Sequence, residues 1–410
     1  MGLQFILQQW VSEEIFYSGD EFFRHLEFDI GAAKDSIDLE TYIFENDQLG
    51  VHILALLSKA TQRGVTVRVM ADGVGSSNWG IKLVYDADKL GVETRVFHPI
   101  PWLLGSYFLW AEARGKRGIL RLLNTVNRRN HRKVCVIDKR VAYVGGMNVS
   151  SWHLLEAHGD KAWRDTGARV EGWAVAHLTA AFEKAWRDAR GIKRSLKKIW
   201  VSRKHRLVER IDAVKRRLAF LPQRTPAEHK LRILVRLNDS RIRRRRYYID
   251  LLYRIVRSRN RIWITNPYFV PHGSLLRALR VAAKSGVDVR VLVPRKSDVF
   301  FMRWVTAAFY GSLLRSGARL YEYLPSVLHA KTILIDEWAT VGSTNLNYRS
   351  LFHDLEVDVV LTSAESLKSV EEQFLKDLEK SHEVTITDWR RLGLLGRFGG
   401  RIALLFRYWI

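Results

Sequence analysis

Two stretches of this sequence repeat one pattern: residues 131–148 read HRKVCVIDKRVAYVGGMN, and residues 329–345 read HAKTILIDEWATVGSTN. In each, a lysine follows the histidine two positions later, an aspartate follows the lysine five positions later, and a glycine turn then ends in asparagine. The apolar runs before and after the aspartate favour paired β-strands. A pattern that occurs twice in one chain predicts a duplicated domain.

The sequence before each motif also repeats, as strand–helix–strand. SIDLETYIF (36–44) and GVTVRVMAD (64–72) enclose a helical stretch in the first half, and RIWITNPYF (261–269) and GVDVRVLVP (286–294) do so in the second. Strands this rich in Val and Ile predict a sheet that helices cover on both faces. We therefore expect an α/β protein with two pseudo-symmetric domains, each a mixed β-sheet flanked by helices, that share one active site.

Composition along the chain predicts the domain boundaries. We expect the first domain over residues 1–190, a basic linker over 191–229, the second domain over 230–390 and a basic amphipathic tail over 391–410. In the tail, arginines fall in one sector of a helical projection and Leu, Ile and Phe fill most of the rest, which is typical of a helix at a membrane interface. A tail packed on the second domain is the alternative.

The charge of the chain is unusual. Its 67 Lys and Arg residues stand against 43 Asp and Glu, a formal net charge of +24 in 410 residues. Such a charge implies a polyanionic partner, either nucleic acid or an anionic membrane surface. The single cysteine, Cys135, excludes an intramolecular disulfide and a cysteine cluster for zinc. We find no signal-peptide pattern and no apolar run long enough to span a bilayer, so we expect a membrane to be bound at its surface.

The motif residues suit phosphodiester chemistry without a metal. A phosphodiester is anionic, so a site for it needs cations and amide donors on the non-bridging oxygens. Lys133 and Lys331 would supply the charge, and Asn148 and Asn345 the amide donors. One neutral imidazole would attack phosphorus, while a second, protonated imidazole would protonate the departing alcohol. We expect neither a metal ion nor a cofactor.

Each motif histidine, His131 or His329, also needs a carboxylate at its second ring nitrogen. Two carboxylates begin apolar runs downstream: Asp165 in WRDTGARVEG and Glu356 in FHDLEVDVV. We expect each to orient the histidine of its own half, with Asp354 as a rival of Glu356 for His329.

The motif aspartates, Asp138 and Asp336, complete the two catalytic sets, but strand geometry argues for a structural role. Asp138 lies seven residues after His131, an odd number, so on a strand it points to the opposite face. We therefore expect both aspartates to pair with buried donors.

These residues resemble the phospholipase D superfamily, whose hallmark is the duplicated HxKxxxxD motif, over nearly the whole chain. FYSGDEFF, NRRNHRKVCVID with VGGMN, WRDTGARVEG and VGSTNLNYRS are most similar to bacterial cardiolipin synthases. The resemblance implies a metal-free, two-step reaction in which His131 attacks a phospholipid, giving a phosphatidyl-histidine, and His329 protonates the departing alcohol. His329 would then activate the glycerol head group of phosphatidylglycerol, giving cardiolipin. Many such synthases begin with membrane-spanning segments; this chain is similar to the shorter, peripheral members.

The resemblance also implies partners and a location. The substrates would be phosphatidylglycerol and, as a second candidate, phosphatidylethanolamine, at the cytoplasmic side of the bacterial cytoplasmic membrane. Phospholipid hydrolysis or nucleic-acid cleavage is the alternative within the superfamily. The tail and the aromatic segment PIPWLLGSYFLWA (99–111), which leads into basic residues, favour lipid. A buried helical lid is the alternative for 99–111. These patterns carry no information on oligomeric state.

Overall fold

The computed structural model describes residues 9–77, 80–99, 128–189, 233–299 and 301–391. The predicted linker (191–229), nearly all of the 99–111 segment and all but the first residue of the predicted tail lie outside the described residues, so the predictions for them stay predictions. Among the described residues, none of the helices combines the length and apolarity needed to cross a membrane.

The described part of the first half contains seven strands in chain order: β1 (Ser12–Phe16), β2 (Ser36–Thr41), β3 (Thr66–Asp72), β4 (Glu93–Phe97), β5 (Val134–Ile137), β6 (Val141–Gly145) and β7 (Gly167–Glu171). Its described α-helices are α1 (Gly19–Ala32), α2 (Gln48–Gln62), α3 (Gly80–Lys89), the single turn α4 (Leu155–His158) and α5 (Val175–Asp188).

In the second half, the residues that the structure describes form eight strands: β8 (Val235–Leu237), β9 (Arg261–Thr265), β10 (Asp288–Lys296), β11 (Arg319–Val327), β12 (Thr332–Ile335), β13 (Trp338–Gly342), β14 (Val357–Leu361) and β15 (Ser381–Val384). Its described α-helices are α6 (Arg241–Arg257), α7 (Gly273–Lys284), α8 (Met302–Leu314), α9 (Tyr348–Phe352), α10 (Ala364–Glu379) and α11 (Ile386–Arg391).

The two sheets share one topology. Their strand orders are β1-β7-β6-β5-β2-β3-β4 and β15-β11-β10-β9-β12-β13-β14-β8, so β8 occupies the place of β1 and β15 is an added edge strand. In each sheet the strands before the motif are parallel, and the motif strands pair antiparallel. The prediction of two mixed sheets flanked by helices is confirmed.

Alternate residues of the motif strand β5 face different cores. Val134 and Val136 belong to the core between the sheets, where α5 and α10 also pack, whereas Cys135 and Ile137 belong to the outer core under α1 and α2. Because both faces are covered, both sets are apolar, as the sequence predicts. The outer face of the second sheet packs on α6, α7 and α8 in the same way.

The N-terminal segment joins the two halves. The indole Nε1 of Trp10 donates to the Val360 carbonyl oxygen at 2.9 Å. The Glu13 carboxylate accepts hydrogen bonds from the backbone N–H groups of Thr362, at 3.0 Å, and Ser363, at 2.5 Å. These buried and half-buried bonds fix the relative position of the sheets, on which the active site depends.

Candidate active site

The first motif is aligned by main-chain bonds to the second half of the chain. The backbone N–H of His131 donates to the Leu355 carbonyl oxygen at 3.0 Å, and the Leu355 N–H donates to the Arg129 carbonyl oxygen at 2.9 Å. Glu356 follows Leu355 directly, and its carboxylate lies 3.0 Å from Nδ1 of His131. Backbone pairing at Leu355 therefore places the Glu356 carboxylate next to His131.

The second motif makes the reciprocal contact with the first half. The His329 N–H donates to the Arg164 carbonyl oxygen at 2.7 Å, and the Arg164 N–H donates to the Val327 carbonyl oxygen at 2.9 Å. Asp165 follows Arg164, and its Oδ2 lies 2.6 Å from Nδ1 of His329. The two bridges are pseudo-symmetric, and both cross the boundary between the halves.

The expected pairing of histidines with carboxylates of their own half is therefore wrong. Asp165 orients His329, and Glu356 orients His131. The physical reason is that each carboxylate segment pairs as an isolated β-bridge with the other motif. The rival Asp354 is also excluded, because it accepts hydrogen bonds from the Arg129 N–H at 3.0 Å and from Arg349 Nε at 2.8 Å.

The two carboxylates have opposite electrostatic surroundings. Burial would raise the pKa of Asp165, but the positive charges of His329 and Lys331 outweigh it and lower this pKa well below its ordinary value. Burial raises the pKa of Glu356 to about 7, although Lys133 opposes the rise. Asp165 is thus a permanent anion near neutral pH, whereas Glu356 changes its protonation state there.

The histidines are correspondingly unequal. Burial, Lys133 and Lys331 lower the pKa of His131 well below its ordinary value. Burial and Lys331 also lower the pKa of His329, but Asp165 opposes that shift. His131 is therefore the more readily neutral imidazole, and His329 is better placed to carry a positive charge.

The motif lysines complete a buried cationic cluster. Lys133 and Lys331 are 4% and 3% exposed, and each Nζ donates to the carbonyl oxygen of the histidine two residues earlier. Burial lowers the pKa of Lys133 to about 7 and that of Lys331 to about 8. Asp165 and Glu356 oppose this lowering only in part, and an anionic substrate would stabilise the charged form of both lysines further.

The motif aspartates lie away from this cluster, on tight turns that end the strands. Asp138 and Asp336 have left-handed φ angles of 51° and 48°. The Asp138 carboxylate accepts three backbone N–H bonds from residues 34–36, and Asp336 accepts three from residues 259–261. These bonds support a structural role, which stays a prediction, but the expectation of buried donors is wrong: the donors are amides at the exposed start of the neighbouring strand.

The histidines and lysines also differ from the prediction in local structure. His131 and Lys133 precede β5, and His329 and Lys331 precede β12, so none of the four lies within a strand of its own sheet. Backbone hydrogen bonds hold them on two sides: each histidine N–H donates to a carbonyl oxygen of the opposite half, and each lysine carbonyl oxygen accepts an N–H from the neighbouring strand of its own sheet.

The two motif asparagines are buried, each 2% exposed. Oδ1 of Asn148 accepts the Ile43 N–H at 3.1 Å, which fixes its amide plane. Oδ1 of Asn345 has no hydrogen-bond partner among the described residues. A rotated amide would place its N–H₂ group there instead. That both bind phosphate stays a prediction.

Sequence reasoning missed a layer of groups behind the carboxylates. The His153 Nε2 accepts the Asn148 N–H at 3.1 Å, so the proton sits on Nδ1, which lies 3.8 Å from Asp165 Oδ2. Burial lowers the pKa of His153 to about 3, so it stays neutral. On the other side, Ser343 Oγ donates to Glu356.

A weak sequence signal for this layer exists. His153 lies five residues after Asn148, and Ser350, whose side chain acts to lower the pKa of Glu356, lies five residues after Asn345. The residue types differ, so the equivalence becomes visible only when the two halves are aligned on the asparagine.

Aromatic rings line both histidines. The Tyr42 ring centroid lies 4.8 Å from that of His131. Trp163 and Tyr268 lie 5.4 and 6.5 Å from His329. The rings limit water around both imidazoles, which strengthens every charge interaction there. Among the described residues, no group of three or more His, Cys, Asp or Glu is arranged to hold a metal ion.

Comparison with known proteins agrees with this geometry. The family model "Cardiolipin synthase, PLD-like domain" matches residues 26–186 and 251–378. The cardiolipin synthase of Clostridium perfringens (strain SM101) is 30% identical over 399 residues, which are 96% of this chain and 75% of that protein. The cardiolipin synthase of Listeria innocua is 32% identical over 403 residues, which are 98% of this chain and 76% of that protein.

Solved structures share the fold at low sequence identity. Phosphatidylserine synthase from Haemophilus influenzae Rd KW20 superposes with a TM-score of 0.64 at 14% identity, over 99% of this chain and 97% of that one. Polyphosphate kinase from Porphyromonas gingivalis gives 0.56 at 12% identity, over 92% of this chain and 49% of that one. With the family model and the relatives, these findings show that the chain belongs to the phospholipase-D-like cardiolipin synthase family of phosphatidyltransferases.

Proposed function

We propose that the protein transfers a phosphatidyl group from one phospholipid to the glycerol head group of phosphatidylglycerol, through a phosphatidyl-histidine intermediate. The observation that carries the proposal is the pair of buried histidines, each held at Nδ1 by a carboxylate of the other half and each next to a lysine. The names of the similar relatives support the lipid substrate.

The first step uses the inequality of the histidines. Because Nδ1 of His131 faces Glu356, its neutral ring presents the Nε2 lone pair, which attacks phosphorus. The bond from phosphorus to the head-group oxygen breaks, and protonated His329 gives its Nε2 proton to that oxygen. Lys133 and Lys331 stabilise the charge on the non-bridging oxygens, and Asn148 and Asn345 are proposed donors to them.

The second step reverses the proton transfer. Neutral His329 accepts the proton of an incoming glycerol hydroxyl, whose oxygen attacks phosphorus as the bond to Nε2 of His131 breaks. The product is cardiolipin, and both histidines return to their starting states. With phosphatidylglycerol as donor the released alcohol is glycerol, and with phosphatidylethanolamine it is ethanolamine.

Product analysis tests the proposal. Purified protein is incubated with phosphatidylglycerol vesicles, with and without EDTA, and the lipids are identified by mass spectrometry. We expect cardiolipin and free glycerol from the wild type at equal rates in both buffers. His131→Ala and His329→Ala should each lose turnover by at least about 10³-fold, because neither histidine suffices alone.

Three results contradict it. Phosphatidic acid as the main product would favour hydrolysis over transfer. Cleavage of single-stranded DNA with lipids left intact would favour the nuclease alternative. Near-normal rates in either histidine variant would exclude the shared site.

A further inference from the structure

An exposed apolar and basic surface adjoins the second histidine. His329 lies just beyond β11, whose Leu324 is 43% exposed and whose Pro325 is also exposed. Beside it, exposed Lys296 at the end of β10 pairs in register with Val327, two residues before His329. Lys296 Nζ donates to the Pro325 carbonyl oxygen at 3.1 Å. The surface is therefore tied to the strand that leads into the active site.

The loop after β10 extends this surface. Asp298 accepts a hydrogen bond from the Tyr268 hydroxyl at 2.5 Å, and the Tyr268 ring faces His329. Phe301 and Trp304, in the loop and the first turn of α8, are 36% and 47% exposed. Two large aromatic side chains thus reach solvent a few residues after Asp298, the hydrogen-bond partner of Tyr268.

The first half supplies the opposite side of the surface. The Trp152 carbonyl oxygen accepts the Trp163 N–H at 2.7 Å, and the Trp163 ring lies 5.4 Å from His329. Trp152 is 42% exposed, and Leu155 on the following turn is 53% exposed. We call the exposed set the collar; it consists of Trp152, Leu155, Lys296, Phe301, Trp304 and Leu324.

We propose that the collar is the surface through which this protein docks on an anionic phospholipid bilayer. The inference rests on the proposed function, which requires a membrane lipid to reach His329. Trp, Phe and Leu beside a lysine are the side chains that partition to a membrane interface. The net charge of +24 adds attraction to an anionic surface. A nucleic-acid partner fits less well, because the collar carries five apolar side chains and one cation.

A competing surface provides the control. The outer side of α6 exposes Tyr253 and Val256, at 55% and 67%, among exposed arginines. Phe28 on α1 is 76% exposed on the outer side of the first half. Val256 and Phe28 are more exposed than the apolar collar residues but lie on helices outside the catalytic cluster, so they distinguish docking at the active site from non-specific adsorption to vesicles.

Site-specific fluorescence tests the proposal. Single cysteines at Trp304→Cys, Leu324→Cys, Val256→Cys and Phe28→Cys are labelled with a polarity-sensitive dye; the native Cys135 is 2% exposed and protected. With phosphatidylglycerol vesicles we expect blue shifts at 304 and 324 only, and weaker shifts with phosphatidylcholine. Vesicle binding without shifts at 304 and 324, or shifts at 256 instead, would overturn the proposal. So would shifts produced by single-stranded DNA and not by vesicles.

Activity gives an independent measurement. The double variant Trp304→Ser/Leu324→Ser should bind vesicles at least about tenfold more weakly and lose vesicle activity in proportion, because less apolar area enters the bilayer. Turnover of short-chain, monomeric phosphatidylglycerol should be unchanged, and Phe28→Ser/Val256→Ser should match the wild type. Equal loss on both substrates would contradict docking. If the wild type docks through the collar but turns over neither substrate, the proposed function fails and the docking surface stands.

Discussion

Asp165 Oδ2 lies 2.6 Å from Nδ1 of His329, although 164 residues separate them in the sequence. Glu356 makes the reciprocal contact with His131 across a separation of 225 residues. Neither motif histidine is therefore paired with a carboxylate of its own half. The active site therefore depends on the packing of the two sheets. A substitution near the carboxylate of one half should alter the motif histidine of the other half.

Asp165→Asn should lower kcat by about 10²- to 10⁴-fold with little change in KM. The amide cannot stabilise the imidazolium of His329 and favours the wrong tautomer. Steady-state kinetics on short-chain phosphatidylglycerol measures the effect, with Asp160→Asn, an exposed neighbour, as the control. A kcat within a few-fold of the wild type would remove Asp165 from the mechanism.

Gly146→Ala should impair catalysis while the fold is retained. A Cβ atom at Gly146 would lie 2.1 Å from Asp165 Oδ1, so the carboxylate or the backbone must shift, which disturbs the contact of Asp165 with His329. A displacement of this kind lowers kcat by roughly 10²-fold. Gly31→Ala is the matched control, because a Cβ there meets nothing within 4 Å. Equal activity of the two variants would contradict the close approach.

Glu356→Gln should change the pH dependence of stability. Burial raises the Glu356 pKa from 4.5 to about 7, so the native protein binds this proton more tightly than the unfolded chain does. Wild-type stability from this group is therefore present below pH 4.5 and is lost as the pH rises through about 7. Glutamine does not titrate.

Denaturant unfolding at pH 5 and pH 8 measures this difference. The stability of Glu356→Gln relative to the wild type should improve by at least about 1 kcal/mol between the two values. Glu365→Gln, on the exposed start of α10, should show no such trend. The same relative stability of the two proteins at pH 5 and pH 8 would mean that Glu356 is ionised throughout this range in the native protein.

Asp138→Ala should destabilise the protein by about 1–3 kcal/mol without changing kcat per folded molecule, because three backbone N–H groups lose their acceptor. These bonds hold the pKa of Asp138 below its ordinary value of 3.8. The stabilisation is thus present above pH 3.8 and is lost as the pH falls further. Thermal unfolding and kinetics together check this; a large fall in kcat would assign the aspartate to catalysis.

Acid trapping with labelled phospholipid should place the phosphatidyl adduct on the peptide that contains His131. Burial and two lysines favour its neutral, nucleophilic form, while Asp165 favours the charged form of His329. Peptide mass spectrometry reads the position, and His131→Ala is the blank. An adduct only on His329 would exchange the two roles and leave the reaction class intact.

Much of the architecture could be predicted because its signals are local. Strand periodicity and the apolar character of residues 134–137 and 332–335 follow from neighbouring side chains that two covered sheet faces require. The duplicated spacing from histidine through lysine to aspartate also indicated the histidines and lysines. The bridge that the segment before β5 makes with residues around Leu355 could not be predicted, because this partner lies in the other half.

The amino-acid sequence by itself determined the α/β duplication, the family and the residue types of the active site, since these depend on composition and short spacings. Only the tertiary structure decided which carboxylate meets which histidine. Asp165 and Glu356 occupy similar places in the sequence, each at the start of an apolar run after its motif. Two backbone bridges between the packed sheets determine which histidine each one contacts. Packing also gave the two carboxylates different pKa values. Nearby positive charges outweigh burial at Asp165, whereas burial outweighs them at Glu356, and the spacing of residues along the chain does not predict this difference.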